Sequence, residues 1–523
     1  MRLAGIAVLL LCALIPTKHA LHMFQQNRYE LTRYTAWLKQ NIKVLWESMP
    51  VVWAGVIGAA VMFLMSGSTG ALIAAAAAAA AGGVQILKER SRTYIKPLVY
   101  TDRVKRQIAV MVVLYLNLAL FFTGVGFRGG FALGVIAMAV LPWLLIYLMS
   151  WITSPIEKSV QNWYLNDAKR ILREHTGLKI VGITGSYGKT STKNVMQAVL
   201  SEQFNSLMTP ASYNTPMGIT RTVREMLKPI HQVFVCEMGA DKVGDITELM
   251  EFVHPQIGVV TSIGPQHLQT FGSQENITRE KMQMIEMLPE DGLGILNYDN
   301  ELIRSWNTRN KVRTVTYSID YEGTDYHASD ISYSPAGSSF TVQNGSEKIQ
   351  FQTKLLGKLN ILNILSAIAT ARYLGVDWKI IQRAVRAMKQ VEHRLEQKKI
   401  NGYNFIDDAF NANPSGAAMA LEVLSGMPGT RWIVTPGMID LGERQSELNR
   451  AFGKQMCGKA DEVILVGVQQ TQPITDGLME SGFDMQHVHV VDTVKEAFAY
   501  LWANLEREDT VLLENDLPDA FNK

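Results

Sequence analysis

The distribution of apolar residues divides the chain into two parts with different patterns. In the first 155 residues, long apolar runs alternate with short basic segments, whereas beyond residue 178 short β-rich runs alternate with segments of helical period. A membrane span requires about 20 apolar residues. Short strands alternating with helices are typical of a parallel sheet covered by helices. The pattern therefore predicts an α-helical transmembrane region followed by an α/β part.

Four apolar runs in the first part have the length of membrane spans or approach it. They are Pro50–Ser66, Gly70–Leu87, Ile108–Phe127 and Gly129–Ile152, and the last two carry no charged residue. A fifth run, Leu3–Ile15, is shorter and also has the length of a signal peptide. Because a cleaved signal would place the basic segment 17–49 outside, we favour four spans and a short N-terminal anchor within a membrane region of residues 1–155.

The basic residues between these runs predict the orientation of the chain. The loop 88–107 carries seven basic and two acidic residues, and the segment 17–49 is also basic. Cytoplasmic loops are enriched in Lys and Arg, so we expect a multi-pass protein of the cytoplasmic membrane, with the lipid bilayer as a partner and the α/β part in the cytoplasm. Apolar residues at helical spacing in the N-terminal basic segment fit either an interfacial helix or a plain connector; they are Leu31, Tyr34, Leu38, Ile42 and Leu45.

The remainder of the chain predicts two α/β domains after a helical linker at 156–178. The first, over 179–390, has strands at 179–184, 232–237, 257–263 and 294–299, helices at 189–203, 242–252, 275–287 and 360–374, and β-hairpins within 311–355. The second, over 391–523, is Rossmann-like, with strands at 403–408, 431–436, 462–467, 487–492 and 510–515. Each strand would contribute its carboxyl end to a crevice where ligands bind.

Composition excludes several function classes. A net charge of +2 provides no overall field for nucleic acid, so no nucleic-acid partner is expected. The three cysteines, Cys12, Cys236 and Cys457, lie far apart without a CxxC pair, which argues against a disulfide framework or a zinc ribbon. The apolar share of 47% fits a chain that lies partly in lipid.

The stretch GITGSYGKTSTK (182–193) lies between a predicted strand and a predicted helix, the context of a phosphate-binding loop. Gly185 and Gly188 would let the backbone approach phosphate closely, Lys189 would reach the β- and γ-phosphates, and Thr190 would offer its hydroxyl to Mg²⁺. The predicted nucleotide-binding residues of this P-loop are Gly185, Ser186, Gly188, Lys189, Thr190 and Ser191. The general pattern G-x4-G-K-[ST] requires a glycine where Ile183 stands, so the loop departs from the general form.

Three later residues carry metal-binding chemistry, although each alone is more typical of a structural role. Glu237 ends a predicted strand in CEMGAD, His267 follows a strand in SIGPQH, and Lys281 lies in the predicted helix at 275–287. A carboxylate at the end of a strand in an α/β sheet faces the ligand crevice. The three residues gain significance from their order along the chain.

That order, with several longer stretches, resembles the Mur ligases. The matching stretches are ITGSYGKTSTK, SYNTPMG (212–218), EMGA (237–240), GILNYDNE, LLGKLNILNILSAIATARYLGV, HRLE (393–396) and IDDAFNANP (406–414). The family consists of ATP-dependent ligases that join an amino acid or dipeptide to a cell-wall peptide, and the likeness is greatest to its D-alanyl-D-alanine-adding branch. The resemblance implies that a substrate carboxylate takes the γ-phosphate of ATP and that an amine then displaces phosphate to give an amide.

The resemblance also implies roles for individual residues. Lys189, His267 and Lys281 would be catalytic. Two Mg²⁺ ions would be held by Thr190, Glu237, His267 and Lys281, the last as a carbamate, which is an anionic oxygen ligand. Asn360, Arg394 and Asp408 would bind the nucleotide, and Asn214, Asn411 and Asn413 would lie near the substrate.

The chain departs from the family at several positions. Leu359 replaces the family's His in GKLN (357–360), PGMIDLG (436–442) replaces GDM…ELG, LEND (513–516) replaces KGS, and the membrane region stands where the family has a UDP-binding domain. We therefore expect an amide ligase that couples a carboxylate-bearing peptide or envelope precursor to an amino acid or dipeptide. The alternatives are a membrane-anchored P-loop ATPase or switch without ligase activity, and a non-catalytic scaffold.

Overall fold

The structure is a computed structural model that describes residues 2–65, 68–92, 94, 97–124, 130–390, 395–409, 414–438, 441 and 444–515. The chain forms two compact units, Met1–Tyr164 and Leu165–Lys523. The first is helical and the second contains two mainly parallel sheets. The predicted fold class, a helical N-terminal region followed by α/β domains, is confirmed.

The first unit consists of helices whose apolar runs pack around one core. They are α1 (Arg2–Gln26), α2 (Leu31–Gln40), a 3₁₀-helix (Ile42–Ser48), α3 (Met49–Leu64), α4 (Ser68–Arg90), α5 (Asp102–Gly124), α6 (Gly130–Val140) and α7 (Pro142–Glu174), which continues into the second unit. Among the described residues, four segments have the length and composition of membrane spans, namely Arg2–Gln26, Ile42–Leu64, Thr69–Arg90 and Asp102–Gly124, and the bent pair α6–α7 makes a fifth if it is counted as one span.

The structure adds two features to the expectations for this unit. The run Gly129–Ile152 is not one straight helix, because α6 and α7 meet at Leu141 with a bend of 72°. Pro142 is the cause, since proline can begin a helix but has no N–H with which to continue one. The N-terminal run does not end at Ile15, because α1 continues for 25 residues. Its polar residues His19 and His22 are buried among the other helices instead of ending it.

The segment after α1 folds as part of the bundle. Tyr34 of α2 is fully buried and donates a hydrogen bond from its hydroxyl to the carbonyl of Trp143 at 3.1 Å. Trp37, one turn later, stacks on the Trp143 ring. These contacts favour the connector interpretation of this segment over a helix lying free at an interface.

The first sheet of the second unit has nine strands in the order β2-β3-β1-β4-β5-β6-β7-β8-β9. The strands are β1 (Lys179–Thr184), β2 (Ser206–Met208), β3 (Val233–Glu237), β4 (Ile257–Val260), β5 (Leu293–Asn297), β6 (Arg313–Ser318), β7 (Tyr326–Ser334), β8 (Gly337–Asn344) and β9 (Glu347–Thr353). Parallel pairing extends from β2 through β7, and β7, β8 and β9 form the antiparallel hairpins predicted for 311–355.

Helices cover both faces of this sheet. They are α8 (Lys189–Leu200), α9 (Pro216–Met226), α10 (Asp245–Val253), α11 (Leu268–Phe271), α12 (Gln274–Glu286), α13 (Glu301–Arg304), α14 (Lys358–Tyr373) and α15 (Trp378–Ala387). The central strands are buried on both sides, which is why they read as continuous apolar runs without alternation. Two separate apolar clusters, one on each face, result from this arrangement.

The second sheet has six strands in the order β10-β11-β15-β12-β13-β14. The strands are β10 (Glu396–Ile400), β11 (Tyr403–Asp408), β12 (Arg431–Thr435), β13 (Glu462–Val466), β14 (Val488–Val491) and β15 (Thr510–Glu514), and the helices are α16 (Pro414–Ser425), α17 (Gln445–Met456), α18 (Val468–Glu480) and α19 (Val494–Asn504). All five predicted strands are present. The additional strand β10 reads EQKKI, and it escaped prediction because it is a mostly polar edge strand paired antiparallel to β11.

Candidate functional site

The loop between β1 and α8 requires glycine at two positions. Gly185 has φ 152° and Gly188 has φ 82°, values in the region that favours glycine. A Cβ at Gly185 would lie 2.1 Å from Thr261 Oγ1. The loop is also fixed to the segment after β4, because Ser186 N donates to Ser262 O at 2.7 Å and Tyr187 N donates to Ser262 Oγ at 3.0 Å. The predicted glycine loop is therefore a rigid turn.

The amino end of α8 is suited to phosphate. Gly188 is its N-cap and offers no side chain, so the N–H groups of the first turn are available to an anion. Lys189 folds back over the loop and donates to the carbonyls of Gly185 and Ser186 at 2.7 and 3.1 Å. Burial lowers the pKa of this lysine, and the negative charge of a bound polyanion would raise it again. Ile183, the departure from the general motif, lies inside β1 and is fully buried.

Glu237 is the centre of the site. It ends β3, is buried, and accepts hydrogen bonds from Thr190 Oγ1 at 3.1 Å and Asn214 Nδ2 at 3.0 Å. The ammonium of Lys193, also buried, lies 3.0 Å from the same oxygen that Thr190 contacts. Two predicted site residues therefore meet a third. Lys193 was missed, although it lies one helical turn after Lys189 in the motif and so on the same face of α8.

The pair Thr190 and Glu237 has suitable geometry for Mg²⁺. Adjacent ligands of an octahedral ion with Mg–O distances of 2.0–2.1 Å lie about 2.9 Å apart, and Thr190 Oγ1 and Glu237 Oε2 are separated by 3.1 Å. Among the described residues, no group of three or more His, Cys, Asp or Glu side chains could enclose a metal. This is consistent with Mg²⁺, which keeps several waters and binds substrate phosphates with only one or two protein carboxylates.

His267 and Lys281 converge on the segment after β3. His267, with φ 58°, lies 3.4 Å through Nε2 from Asp241 Oδ1. Lys281 of α12 is buried and donates to the carbonyl of Ala240 at 3.3 Å. Their partners are consecutive residues, so the structure brings both side chains to one place. Asp241 was not predicted, although it follows EMGA directly.

The lysine at this place is poorly solvated. Burial, assisted by the nearby charge of Lys189, lowers the pKa of Lys281 to about 8. About a tenth of its amine is therefore uncharged at pH 7, far more than for an ordinary lysine with a pKa near 10.4. An uncharged amine is a nucleophile, so the structure gives Lys281 the reactivity that carbamylation by CO₂ requires.

The residues predicted to contact nucleotide are only partly described. Asn360 lies in the first turn of α14, and its Nδ2 donates to Leu356 O at 2.8 Å. Leu359 beside it is 49% exposed, so an apolar side chain faces solvent where the family has histidine. Asp408 ends β11 and accepts a hydrogen bond from Leu395 N at 3.0 Å. Arg394, Asn411 and Asn413 lie outside the described residues.

Glu514 is a further unusual carboxyl, and it lies in the departing stretch LEND. It pairs with Asp408 across the parallel strands β15 and β11 and is fully buried beside that second carboxyl. Burial, followed by the neighbouring Asp408, raises its pKa well above the usual range.

Two domain families match the second unit. Residues 183–371 match the family described as Mur ligase middle domain, and residues 393–514 match the family described as Mur ligase, glutamate ligase domain. The UDP-N-acetylmuramoyl-tripeptide–D-alanyl-D-alanine ligase of Bacillus subtilis is 30% identical over 351 residues, which cover 66% of this chain and 75% of that protein. The Escherichia coli protein of the same name is 30% identical, over 57% of this chain and 66% of its own.

Solved structures show the same fold. MurF from Acinetobacter baumannii superposes with a TM-score of 0.57 at 23% identity, covering 68% of this chain and 77% of that one. MurF ligase from Thermotoga maritima, solved in complex with ADP, has a TM-score of 0.56 at 24% identity, with coverages of 67% and 80%. These similarities extend the likeness of the second unit from sequence to architecture.

The first prediction concerns the buried ion pair of Lys193 and Glu237 at the centre of the site. We expect Lys193→Met to destabilise the protein by about 3–5 kcal/mol, because it leaves the Glu237 carboxylate buried without its cation. Urea unfolding of the full chain in detergent, followed by tryptophan fluorescence, measures the loss. Lys193→Met combined with Glu237→Gln should recover most of the stability. A double variant as unstable as the single one would contradict the pairing.

Glu514 makes a prediction about pH. An acid with a raised pKa keeps a proton in the folded state that the unfolded chain, with a pKa near 4.5, has released. Its stabilising contribution is therefore complete below pH 4.5 and is lost as the pH rises toward the folded value. We expect Glu514→Gln to gain stability relative to wild type between pH 5 and pH 8 in urea unfolding. The exposed Glu506→Gln should follow wild type, and parallel curves for all three proteins would refute the assignment.

Proposed function

The chain belongs to the Mur ligase family, and from this membership we propose that it is an ATP-dependent ligase of cell-envelope synthesis that joins a carboxylate to an amine. The carboxylate of a peptide or envelope precursor attacks the γ-phosphate of ATP, which yields an acyl phosphate and ADP. The amine of an amino acid or dipeptide then attacks the acyl carbon, which releases phosphate and forms the amide. The observation that carries this proposal is the meeting of Thr190, Lys193 and Asn214 on Glu237 beside the phosphate loop.

The residues of the site divide the work of phosphoryl transfer. The first-turn N–H groups of α8 and the Lys189 ammonium hold phosphate oxygens, which is the main task because this chemistry depends on positioning and charge neutralisation. Glu237 and Thr190 would hold one Mg²⁺, and His267 with Lys281 would hold a second. When bound, these ions supply Lewis-acid stabilisation of phosphate charge. Lys193 and Asn214 keep the Glu237 carboxylate oriented toward Thr190.

Lys281 has a role in this proposal only as a carbamate. Its uncharged amine attacks CO₂, a N–C bond forms, and one proton is released, which replaces a cation with an anionic oxygen ligand. The low pKa of this lysine, about 8, supports the step. As an ammonium, Lys281 would repel Mg²⁺. Carbamylation therefore explains how a lysine can serve as a metal ligand.

The helical unit bears on where the reaction occurs. Its four apolar segments have the length of membrane spans, and we propose that they anchor the enzyme so that the ligase domains act in the cytoplasm at the membrane surface. The relatives named above use a UDP-linked tripeptide and D-alanyl-D-alanine according to their names. We propose a related acceptor close to the membrane for this chain, since the helical unit with its apolar segments stands where the family has a UDP-binding domain.

One assay separates the ligase from a membrane-anchored ATPase or switch. The purified full chain in detergent, with ATP and Mg²⁺, is supplied with candidate carboxylates and amines, and phosphate release is followed. We expect release that requires both components and an amide product visible by mass spectrometry. Release at the same rate without either component would overturn the ligase proposal in favour of the ATPase.

Lys281 supplies the sharper test of mechanism. Lys281→Ala should lose at least 100-fold in ligase rate, with partial recovery when formate or acetate is added, because a short carboxylate can occupy the place of the carbamate. Lys242→Ala, on the exposed segment nearby, is the matched control and should behave as wild type. A fully active Lys281→Ala, or one that carboxylates do not rescue, would show that no carbamate acts there.

A further inference from the structure

Arg103 of the helical unit is a partly buried cation without a hydrogen-bonded acid. Its Nε is buried and has no hydrogen-bond partner among the described residues. Glu157 Oε2 lies 3.8 Å from that nitrogen, which is too far for a hydrogen bond. The guanidinium instead stacks over the ring of Tyr29 at 4.0 Å. The arginine is thus held by its flat face with Nε turned inward, and because 29% of its side chain is exposed, its terminal Nη groups are the donors left for another acceptor.

The nearby acid is already paired with another arginine. Arg106, one turn later on α5, donates to both oxygens of Glu157, from Nε at 2.7 Å and from Nη2 at 2.8 Å. A two-pronged contact of this kind satisfies the carboxylate. Arg103, Arg106 and Glu157 together therefore keep one net positive charge, and that charge resides on the guanidinium that has no hydrogen-bonded partner.

The Tyr29 ring, the platform on which Arg103 stacks, belongs to a strained backbone segment. Arg28 and Tyr29 are consecutive residues in the left-handed region, with φ 57° and 60°, a conformation that residues other than glycine adopt at a cost and that clusters at functional positions. The Tyr29 hydroxyl accepts a hydrogen bond from Gln25 Nε2 at 2.9 Å, and its ring meets Phe24 edge to face. The ring is therefore fixed in place.

The same glutamine fixes the segment that leads into α5. Gln25 Nε2 donates to Val99 O at 2.9 Å, and Val99 N donates to Gln25 Oε1 at 2.9 Å. Residues of α1, the turn after it and the entry to α5 are thus locked around Arg103. A guanidinium oriented in this way before any ligand arrives loses little freedom on binding.

We propose that Arg103, stacked on Tyr29, binds the phosphate group of a membrane lipid. The planar guanidinium offers two parallel N–H donors that match phosphate oxygens. Arg103 lies at the beginning of the apolar segment Asp102–Gly124, and basic groups at the ends of such helices meet lipid headgroups. The lipid is either a phospholipid or a lipid-linked precursor, since both carry this group at the same depth.

Binding is tested on the full chain in detergent by native mass spectrometry with added lipid. Dioleoyl phosphatidic acid is compared with dioleoylglycerol, which has the same acyl chains and no phosphate. We expect at least tenfold tighter binding of the phosphatidic acid by wild type. Polyprenyl phosphate is the probe for a lipid-linked precursor: tighter binding of it would support that source, and binding equal to phosphatidic acid would support headgroups in general. Equal binding of the two dioleoyl lipids would overturn the proposal.

Variants locate the site. Arg103→Gln should lose the preference for phosphatidic acid, and Arg103→Lys, which keeps the charge without the planar fork, should recover only part of it. Lys105→Gln is the matched control. The substitution removes the same charge from the same helical turn, but Lys105 is an exposed residue that is paired with Asp102. Equal losses in Arg103→Gln and Lys105→Gln would show a diffuse charge effect and refute the site.

Two further measurements test the role of the stacked ring and exclude a soluble anion as the ligand. Tyr29→Leu should weaken binding of the phosphate lipid several-fold while Arg103 remains, since the stacking platform is lost. Inorganic phosphate at millimolar concentration should not displace the lipid; full displacement would identify a soluble anion as the ligand and overturn the lipid assignment. Because no step uses ATP, failure of this proposal would leave the ligase proposal intact, and melting temperatures in detergent show that each variant is folded.

Discussion

The candidate site depends on one buried carboxylate and the cation that allows it to be buried. Removing an ion from water is costly unless another charge and hydrogen bonds replace the solvent, and Glu237 receives both, from Lys193, Thr190 and Asn214. These partners come from the helix after β1 and the loop before α9, so the carboxylate ties two parts of the domain to the end of β3. Exposed glutamates could not impose that convergence.

The parallel sheet explains why chemistry collects at this edge. Strands β1, β3 and β4 lie side by side, so the phosphate loop, Glu237 and the segment leading to His267 all leave the sheet on the same side. The close contact of Gly185 with Thr261, where a Cβ would come within 2.1 Å, shows how tightly two of these connections pack. Side chains far apart in the sequence therefore meet without a long connecting loop, which is the general property of ligand sites in α/β sheets.

Much of this arrangement could be predicted from local signals. The apolar runs at β1 and β11 gave strand bounds that agree with the structure, because both strands are buried in the sheet interior and flanked by polar turns. Strand β10 was not predicted, since it is a mostly polar edge strand without an apolar run, although it pairs with the adjacent β11. The bend at Leu141 was not predicted either, since it depends on one proline within an otherwise apolar run. Lys193 and Asp241 were missed because their roles arise from contacts that only the folded chain creates.

Four buried or partly buried cations in the two units fall into two groups according to whether a carboxylate binds them. Lys193 and Arg106 each contact a carboxylate within 3.0 Å, and such pairs serve the structure because neither member can leave without exposing the other. Lys281 and Arg103 lack a hydrogen-bonded carboxylate among the described residues, with an Ala240 carbonyl and a Tyr29 ring as the respective contacts. A protein retains a poorly compensated buried charge where a ligand or a modification completes it. In the two proposals, that completion is a change of charge for Lys281 and an anion supplied from outside for Arg103, so the same physical imbalance connects the proposed catalytic lysine with the proposed lipid site.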